Sequence, residues 1–156
     1  IYWNYGYLPR TWEDPTLEHP ELHALGDNDP LDVVEIGSRA LSQGSITRVK
    51  VLGALAMLDD GELDWKVIAV AADDQMADQL QDVSDVETKL PGFISGIREW
   101  FRWYKIPDGK PLNQFGFNEA ALGRDKALDI IEETHQAWER LKSGKTESSL
   151  WIGEKA

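Results

Sequence analysis

Residues 45–70 read SITRVKVLGALAMLDDGELDWKVIAV, and this stretch decides the fold. It begins with spaced apolar side chains at Ile46, Val49 and Val51 and is then apolar almost throughout to Leu58, as expected for a strand buried on both faces. Residues 65–70 (WKVIAV) indicate a second strand, and the acidic stretch around Gly61 indicates a turn between the two. The pattern therefore predicts a β-hairpin in the core of the protein.

The rest of the chain places short strands before this hairpin and helices after it. Residues 1–30 are rich in glycine, proline and aromatic side chains, which indicates irregular structure or short strands, and residues 31–36 (LDVVEI) indicate a strand. Apolar residues at helical spacing predict helices over 83–90, over 93–104, and from 122 or 125 to 141. This order predicts an α+β fold, with a small β-barrel or sheet that carries its helices on one side.

The last predicted helix has the clearest amphipathic pattern. Its apolar face consists of Leu128, Ile131, His135, Trp138 and Leu141. We expect this face to pack on the sheet, and we therefore interpret His135 as a packed core residue.

The composition excludes several classes of protein. The chain has 156 residues, 42% apolar and 28% charged, as in one globular domain. Its 28 acidic and 16 basic residues give a net charge of −12, which opposes binding to bare nucleic acid or to an anionic membrane. Because it has no cysteine, disulfides and thiolate metal sites are excluded. We expect a cytoplasmic location, with an organelle left open.

Two acidic clusters carry the functional signal. Residues 26–32 (GDNDPLD) place three carboxylates just before a predicted strand, and residues 59–66 (DDGELDWK) place four more around the hairpin turn. Either cluster alone is also typical of a solvated turn. However, Asp32 lies at the mouth of a strand, and Asp64 lies two residues from Lys66, on the same strand face. Half-buried carboxylates at such positions need a cationic partner or a metal ion.

These ligands favour a particular chemistry. Carboxylates without histidine or cysteine nearby suit a hard cation such as Mg²⁺ or Mn²⁺. Two such ions can activate a water molecule for attack on phosphorus. The interleaved cations Lys66, Lys105 and Lys110 could balance the charge of phosphate oxygens. Lys105 is equally well explained as a favourable cation at the end of a helix.

The residues that carry a family resemblance are GDNDPLDVVEIG (26–37), LDDGELDWKVIAV (58–70) and REWFRWYKIPDGKPLNQFGF (98–117). Together with WNYGYLPRTWEDP (3–15) and ALDIIEETHQAWERL (127–141), they resemble the soluble family I inorganic pyrophosphatases, in their eukaryotic branch. The resemblance implies an OB-like five-stranded β-barrel flanked by helices and Mg²⁺-dependent hydrolysis of pyrophosphate. It assigns residues 1–142 to a catalytic domain that is incomplete at its N-terminus, and residues 143–156 to a C-terminal tail.

The resemblance also implies roles for individual residues. Asp27, Asp32 and Asp64 would hold the tightest metal ion, Asp32 would bridge to a second ion, and Asp59 with Asp64 would bind an ion that arrives with the substrate. Asp29 would be the general base. The phosphate oxygens would be held by Lys66, Tyr104 and Lys105, and Tyr5 would hydrogen-bond near the nucleophile or the reacting phosphate.

The implied cofactor is Mg²⁺, with Mn²⁺ as a possible substitute and Ca²⁺ as an inhibitor. The implied partner is pyrophosphate, with no nucleic acid or membrane, in a homodimer or other homo-oligomer.

The chain departs from the family where Ile1 replaces a tyrosine. Further family site residues lie upstream of Ile1, so we expect the chain to lack the family's N-terminal strands. Two alternatives stay open: a non-catalytic divalent-metal-binding module on a degenerate or truncated scaffold, and another two-metal phosphohydrolase. The net charge disfavours a nucleic-acid substrate.

Overall fold

The fold is known from a computed structural model that describes residues 1–148, 150 and 151. Its strands are β1 (Asn4–Tyr7), β2 (Asp32–Glu35), β3 (Val49–Asp59), β4 (Glu62–Ala71), β5 (Gln114–Phe115) and β6 (Leu122–Gly123). Its α-helices are α1 (Val83–Lys89), α2 (Phe93–Trp103) and α3 (Arg124–Lys142). Short 3₁₀ segments cover Ala77–Gln79, Ile106–Asp108 and Phe117–Glu119.

The strands form one mixed sheet in the order β1-β2-β4-β3-β5, with β6 also paired to β3. β2 and β4 are parallel, and the other pairs are antiparallel. The predicted mainly-β core with flanking helices is confirmed. Within the described residues the sheet is open, with β1 at one end and β5 at the other. The parallel register sets Asp32 directly opposite Lys66, which brings residues far apart in sequence to one position.

The predicted hairpin is confirmed, and its turn is tighter than the acidic stretch suggested. Asp59 pairs with Glu62, so only Asp60 and Gly61 form the turn, with φ angles of 51° and 93°. Positive φ at both positions is typical of the two-residue turns that match the twist of a β-hairpin. Glu62 and Asp64 consequently belong to β4, where their direction is fixed by the strand.

Apolar side chains cover both faces of β3 and β4, and helices pack on both. One cluster joins Ile68 and Val70 of β4 to residues of α1 and α2. The other joins Val67 and Ala69 to Ala127 and Ile130 of α3. The prediction that the helices lie on one side is therefore wrong. Strands that are apolar on both faces require cover on both sides, and α3 supplies the second layer.

Helix α3 packs through a different face from the predicted one. Its buried residues are Ala127, Ile130, Thr134, Ala137 and Leu141, of which only Leu141 belongs to the predicted set. His135 is only partly buried: its ring stacks on Trp138, and its Nδ1 lies 2.8 Å from the Arg10 carbonyl oxygen. The assignment of His135 to the packed core is therefore wrong. Ala127 and Ile130 pack on the sheet and Ala137 and Leu141 pack with Trp12, whereas Leu128 is exposed.

The end of α3 at Lys142 coincides with the boundary proposed for the C-terminal tail. Within the tail, Gly144 has a φ of 73° and follows the helix as its stop. Residues 149 and 152–156 of the predicted tail lie outside the described residues.

Candidate active site

The centre of the site is the ammonium group of Lys66 on β4. Asp32 begins β2 opposite Lys66, and its Oδ2 lies 2.6 Å from Nζ. Asp64 accepts from the same ammonium through both of its carboxylate oxygens. The Tyr5 hydroxyl of β1 donates to Asp32. The period of two along β4 and the parallel register of β2 thus bring these four predicted site residues together.

A second group lies where the hairpin meets the end of α2. The carboxylate of Asp59, at the end of β3, accepts from the Tyr104 hydroxyl at 3.2 Å and from the Lys105 ammonium. Nearby, Lys110 Nζ donates to Asp60 Oδ2 at 3.0 Å. The segment after α2 is therefore held on the hairpin, and the predicted residues Asp59, Tyr104 and Lys105 are in direct contact.

The loop of Asp27 and Asp29 approaches the site from the other side. Asp27 Oδ1 accepts from the Asp29 amide at 2.9 Å, and the Glu13 amide donates to the Asp29 carbonyl at 2.9 Å. Gly26 is required here because a Cβ atom would lie 2.5 Å from the Glu13 carbonyl carbon. These contacts fix the loop backbone and direct Asp27 toward the buried acids.

Three acids form the most compact carboxylate cluster in the described residues. One carboxylate oxygen each from Glu13, Asp27 and Asp64 lies within 4.8 Å of the other two. Asp32 lies outside this trio and is joined to Asp64 through Lys66. Asp29 is exposed and lines a neighbouring cavity of about 420 Å³ with Tyr7. The predicted group of Asp27, Asp32 and Asp64 is thus partly assembled, with Asp29 beside it.

Glu13 is the site residue that the sequence did not reveal. It is 3% exposed, and its Oε1 accepts from the Trp65 amide at 2.9 Å, across 52 positions of the chain. A single glutamate in the aromatic stretch before residue 15 has no spacing that relates it to the acidic clusters. Only the resemblance segment WNYGYLPRTWEDP included it, without a role.

Burial makes these acids unusually weak. It raises the pKa of Asp27 to about 7 and that of Asp64 to about 6, and neighbouring carboxylates add to the effect. The pKa of Glu13 is also raised well above its usual value, first by burial and then by Asp27. Burial alone lowers the pKa of Lys66, but Asp64 and Asp32 outweigh it and raise the pKa above its usual value. The site therefore favours added positive charge.

The donor set fits a hard cation. Glu13 Oε2 and Asp59 Oδ1 are buried and have no hydrogen-bond partner among the described residues. Such buried oxygens are rare in folded proteins unless an ion or water satisfies them. The atoms of both groups that can bind a metal ion are carboxylate oxygens, the ligands that Mg²⁺ and similar ions prefer. The residues therefore fit the kind of ion that the family resemblance implies.

Comparison with known proteins identifies the family. The inorganic pyrophosphatase family model matches residues 1–139. The chain is 55% identical over 149 residues to the chloroplastic soluble inorganic pyrophosphatase 1 of Chlamydomonas reinhardtii, covering 96% of this chain and 53% of that protein. It is 54% identical over 143 residues to the inorganic pyrophosphatase of Kluyveromyces lactis, covering 92% and 50%. The chain thus belongs to the inorganic pyrophosphatase family, and it spans about half the length of these relatives.

Solved structures agree with this assignment. The type I inorganic pyrophosphatase of Toxoplasma gondii superposes with a TM-score of 0.89 at 54% identity, covering 90% of this chain and 62% of that one. A truncated Trypanosoma cruzi vacuolar soluble pyrophosphatase in complex with PPi gives a TM-score of 0.87 at 44% identity, covering 90% and 53%. Among the described helices, none is long and apolar enough to span a bilayer.

Proposed function

We propose that residues 1–142 carry catalytic groups for the Mg²⁺-dependent hydrolysis of inorganic pyrophosphate to two phosphates. One observation supports this most directly: the buried carboxylates of Glu13 and Asp64 and the half-buried carboxylate of Asp27 converge within 4.8 Å of one another, beside the ammonium group of Lys66. The related T. cruzi protein was crystallised with PPi, which supports the same substrate for this chain.

In this proposal the acidic side chains bind the metal ions. When bound, Mg²⁺ would lower the pKa of a water molecule and offset the negative charge of the phosphate oxygens. Asp27, Asp32 and Asp64 are the proposed ligands of the tightest ion, and Glu13 joins them because its orphaned Oε2 faces no other partner. Asp59, with its own unpartnered oxygen, is the proposed ligand for an ion that arrives with the substrate.

Asp29 is the proposed general base. Its backbone is fixed by bonds to Asp27 and Glu13, whereas no described hydrogen bond or ion pair engages its exposed carboxylate. A base needs a free oxygen within reach of the water whose proton it accepts. Asp29 therefore has the accessibility and the fixed position that the role requires.

The cationic and hydroxyl groups have the task of binding the substrate. Lys66, Lys105, Tyr104 and Tyr5 all present donors to one region, and these donors can bind phosphate oxygens and stabilise charge on the leaving phosphate. Pyrophosphate is a polyanion and the chain has a net charge of −12, so cations must bind before or with the substrate.

We further propose Mg²⁺ as the working ion and Mn²⁺ as a substitute. Ca²⁺ is expected to inhibit because it accepts a larger and looser coordination shell. The family resemblance also leads us to propose a homodimer or other homo-oligomer and a cytoplasmic location.

The test is phosphate release from pyrophosphate, ATP and an oligonucleotide, each with Mg²⁺ and with EDTA. We expect release from pyrophosphate only, dependent on Mg²⁺ and lowered about 10²–10⁴-fold in Asp29→Asn. Cation binding by calorimetry without phosphate release would instead indicate a metal-binding module. Faster release from ATP than from pyrophosphate would indicate a different phosphohydrolase.

A further inference from the structure

The Lys66 ammonium lies among the carboxylate oxygens proposed to bind metal. Its side chain is 2% exposed, and it contacts Asp32 at 2.6 Å and both oxygens of Asp64. The rings of Tyr5 and Phe101 lie 5.6 Å and 5.3 Å from Nζ and close the other sides. The lysine is therefore a buried counter-ion of two carboxylates.

The backbone fixes this arrangement. Lys66 is the register partner of Asp32 in the parallel pair β2–β4, and it lies two residues from Asp64 on the same strand face. Whatever rotamer the side chain adopts, its Cα stays opposite one acid and next to the other. The sheet consequently fixes the Lys66 backbone beside both acids, and only the flexible side chain has to move for the ammonium group to leave them.

The same arrangement recurs at Asp59. Its Oδ2 accepts from Lys105, and its Oδ1 is buried without a partner. The side chains of Asp59 and Lys105 are 13% and 27% exposed. A third pair, Lys110 with Asp60, also joins the segment after α2 to the hairpin. It lies at the surface, and its side chains are 53% and 43% exposed. This third pair offers an internal control with the same chemistry.

An ammonium group and a metal ion cannot both take the same carboxylate lone pairs. Two ligands that compete for one set of oxygens weaken each other, and the effect is reciprocal. We propose that Lys66 and Lys105 are exchangeable counter-ions that limit cation affinity at Asp32–Asp64 and at Asp59. A metal ion that takes these oxygens releases the ammonium groups, and under the proposed function, on which this last step rests, they turn to phosphate.

The inference predicts that two substitutions in the site increase the affinity for Mn²⁺. Loss of a site residue normally weakens binding, whereas Lys66→Met and Lys105→Met should each bind Mn²⁺ more tightly than the parent. The expected gain is about 5- to 150-fold, the usual range of coupling between two ligands. Lys110→Met should bind Mn²⁺ as the parent does, because its partner Asp60 is exposed and outside the proposed metal site.

The experiment is Mn²⁺ titration by calorimetry on the parent chain and the three variants, with circular dichroism to show that each is folded. If Lys66→Met does not fold without metal, Lys105→Met decides the question, because its pair is less buried. Unchanged or weaker Mn²⁺ binding in the folded variants would overturn the inference. An equal gain in Lys110→Met would also overturn it, since the cause would then be net charge.

The outcome is separable from that of the proposed function. Mn²⁺ affinity is measured without pyrophosphate, so failure of the parent to release phosphate would leave the competition between cations standing. Conversely, if the parent is active but Lys66→Met and Lys105→Met bind Mn²⁺ with unchanged affinity, the counter-ion role is refuted and the proposed function stands.

Discussion

Glu13→Gln offers a test in which protein stability and cation affinity should change in opposite directions. Glutamine keeps the shape of the side chain, and its oxygen can still accept the Trp65 amide that Glu13 now accepts at 2.9 Å. Its amide nitrogen replaces the buried Oε2, which has no partner among the described residues. The neutral side chain removes one negative charge from beside Asp27 and Asp64, each of which has a carboxylate oxygen within 4.8 Å of a Glu13 oxygen.

The size of the effect follows from the buried charge. Burial raises the pKa of Asp64 to about 6 and that of Glu13 well above its usual value, so these acids destabilise the folded protein when they are ionised at pH 8. Glu13 is part of the same repulsive group, and a buried polar atom without a partner costs about 1–3 kcal/mol. We therefore expect Glu13→Gln to stabilise the protein in EDTA by about 1–3 kcal/mol at pH 8.

The raised pKa values determine how protein stability changes with pH. The pKa values of Asp27 and Asp64 are raised in the folded state, so the folded protein binds more protons than the unfolded chain between pH 4 and 7. The contribution of these groups is favourable below their unfolded pKa values and is lost as the pH rises through about 6 to 7. Stability in EDTA should therefore fall from pH 5 to pH 8 in the parent, and less steeply in Glu13→Gln.

Two measurements decide this prediction. Urea unfolding in EDTA at pH 5 and pH 8 gives the stability change, and Mn²⁺ calorimetry at pH 8 gives the cation affinity. We expect Glu13→Gln to lose at least about tenfold in Mn²⁺ affinity, because an anionic ligand is removed from the cluster. A variant that is less stable than the parent in EDTA at pH 8, or that binds Mn²⁺ equally well, would refute the reasoning.

Three further predictions follow from the same structure. Asp29→Asn should lower phosphate release by about 10²–10⁴-fold, the range for a positioned base, while Mn²⁺ affinity by calorimetry stays within a few-fold. Asp32→Asn should lose Mn²⁺ affinity and regain part of its phosphate release at high Mg²⁺, unlike Asp29→Asn, because the change would weaken the ligand that the family resemblance predicts to bridge two ions. Gly53→Ala should destabilise the fold by about 1–3 kcal/mol in urea unfolding, because its Cβ would lie 2.5 Å from the Leu122 carbonyl oxygen; an unchanged midpoint would contradict this close approach.

The parts of the fold that could be predicted depend on local pattern. The hairpin of β3 and β4 follows from apolar runs around an acidic turn, and α3 follows from helical spacing. The packing of α3 could not be predicted in the same way. Ala127 and Ile130 pack on the sheet and Ala137 packs with Trp12, whereas Leu128 is 38% exposed. A pattern that weighs side chains by apolar size places Leu128 in the core and misses the small residues Ala127 and Ala137, which the fold buries.

The same division holds in the site. Asp64 and Lys66 could be placed on one side of a strand from their spacing alone, and the structure brings them into contact. Asp32 could be placed at the start of a strand, but its position opposite Lys66 depends on the parallel register, which no local pattern specifies. Glu13 could not be assigned to the site, because the fold alone brings it there, where its side chain accepts from the Trp65 amide across 52 positions of the chain.

The acidic composition and the two lysines paired with the site acids have a common physical explanation. A cluster of acids that binds cations tightly is also one that repels itself when the cations are removed, and Lys66 and Lys105 relieve that repulsion from within. A substitution that relieves the repulsion among the acids should therefore stabilise the metal-free protein and weaken metal binding. A substitution that increases the repulsion should have the two opposite effects. Glu13→Gln should be more stable in EDTA and weaker for Mn²⁺, and Lys66→Met less stable and tighter. If the two variants moved both quantities in the same direction, the acids and the lysines would not act on a shared site.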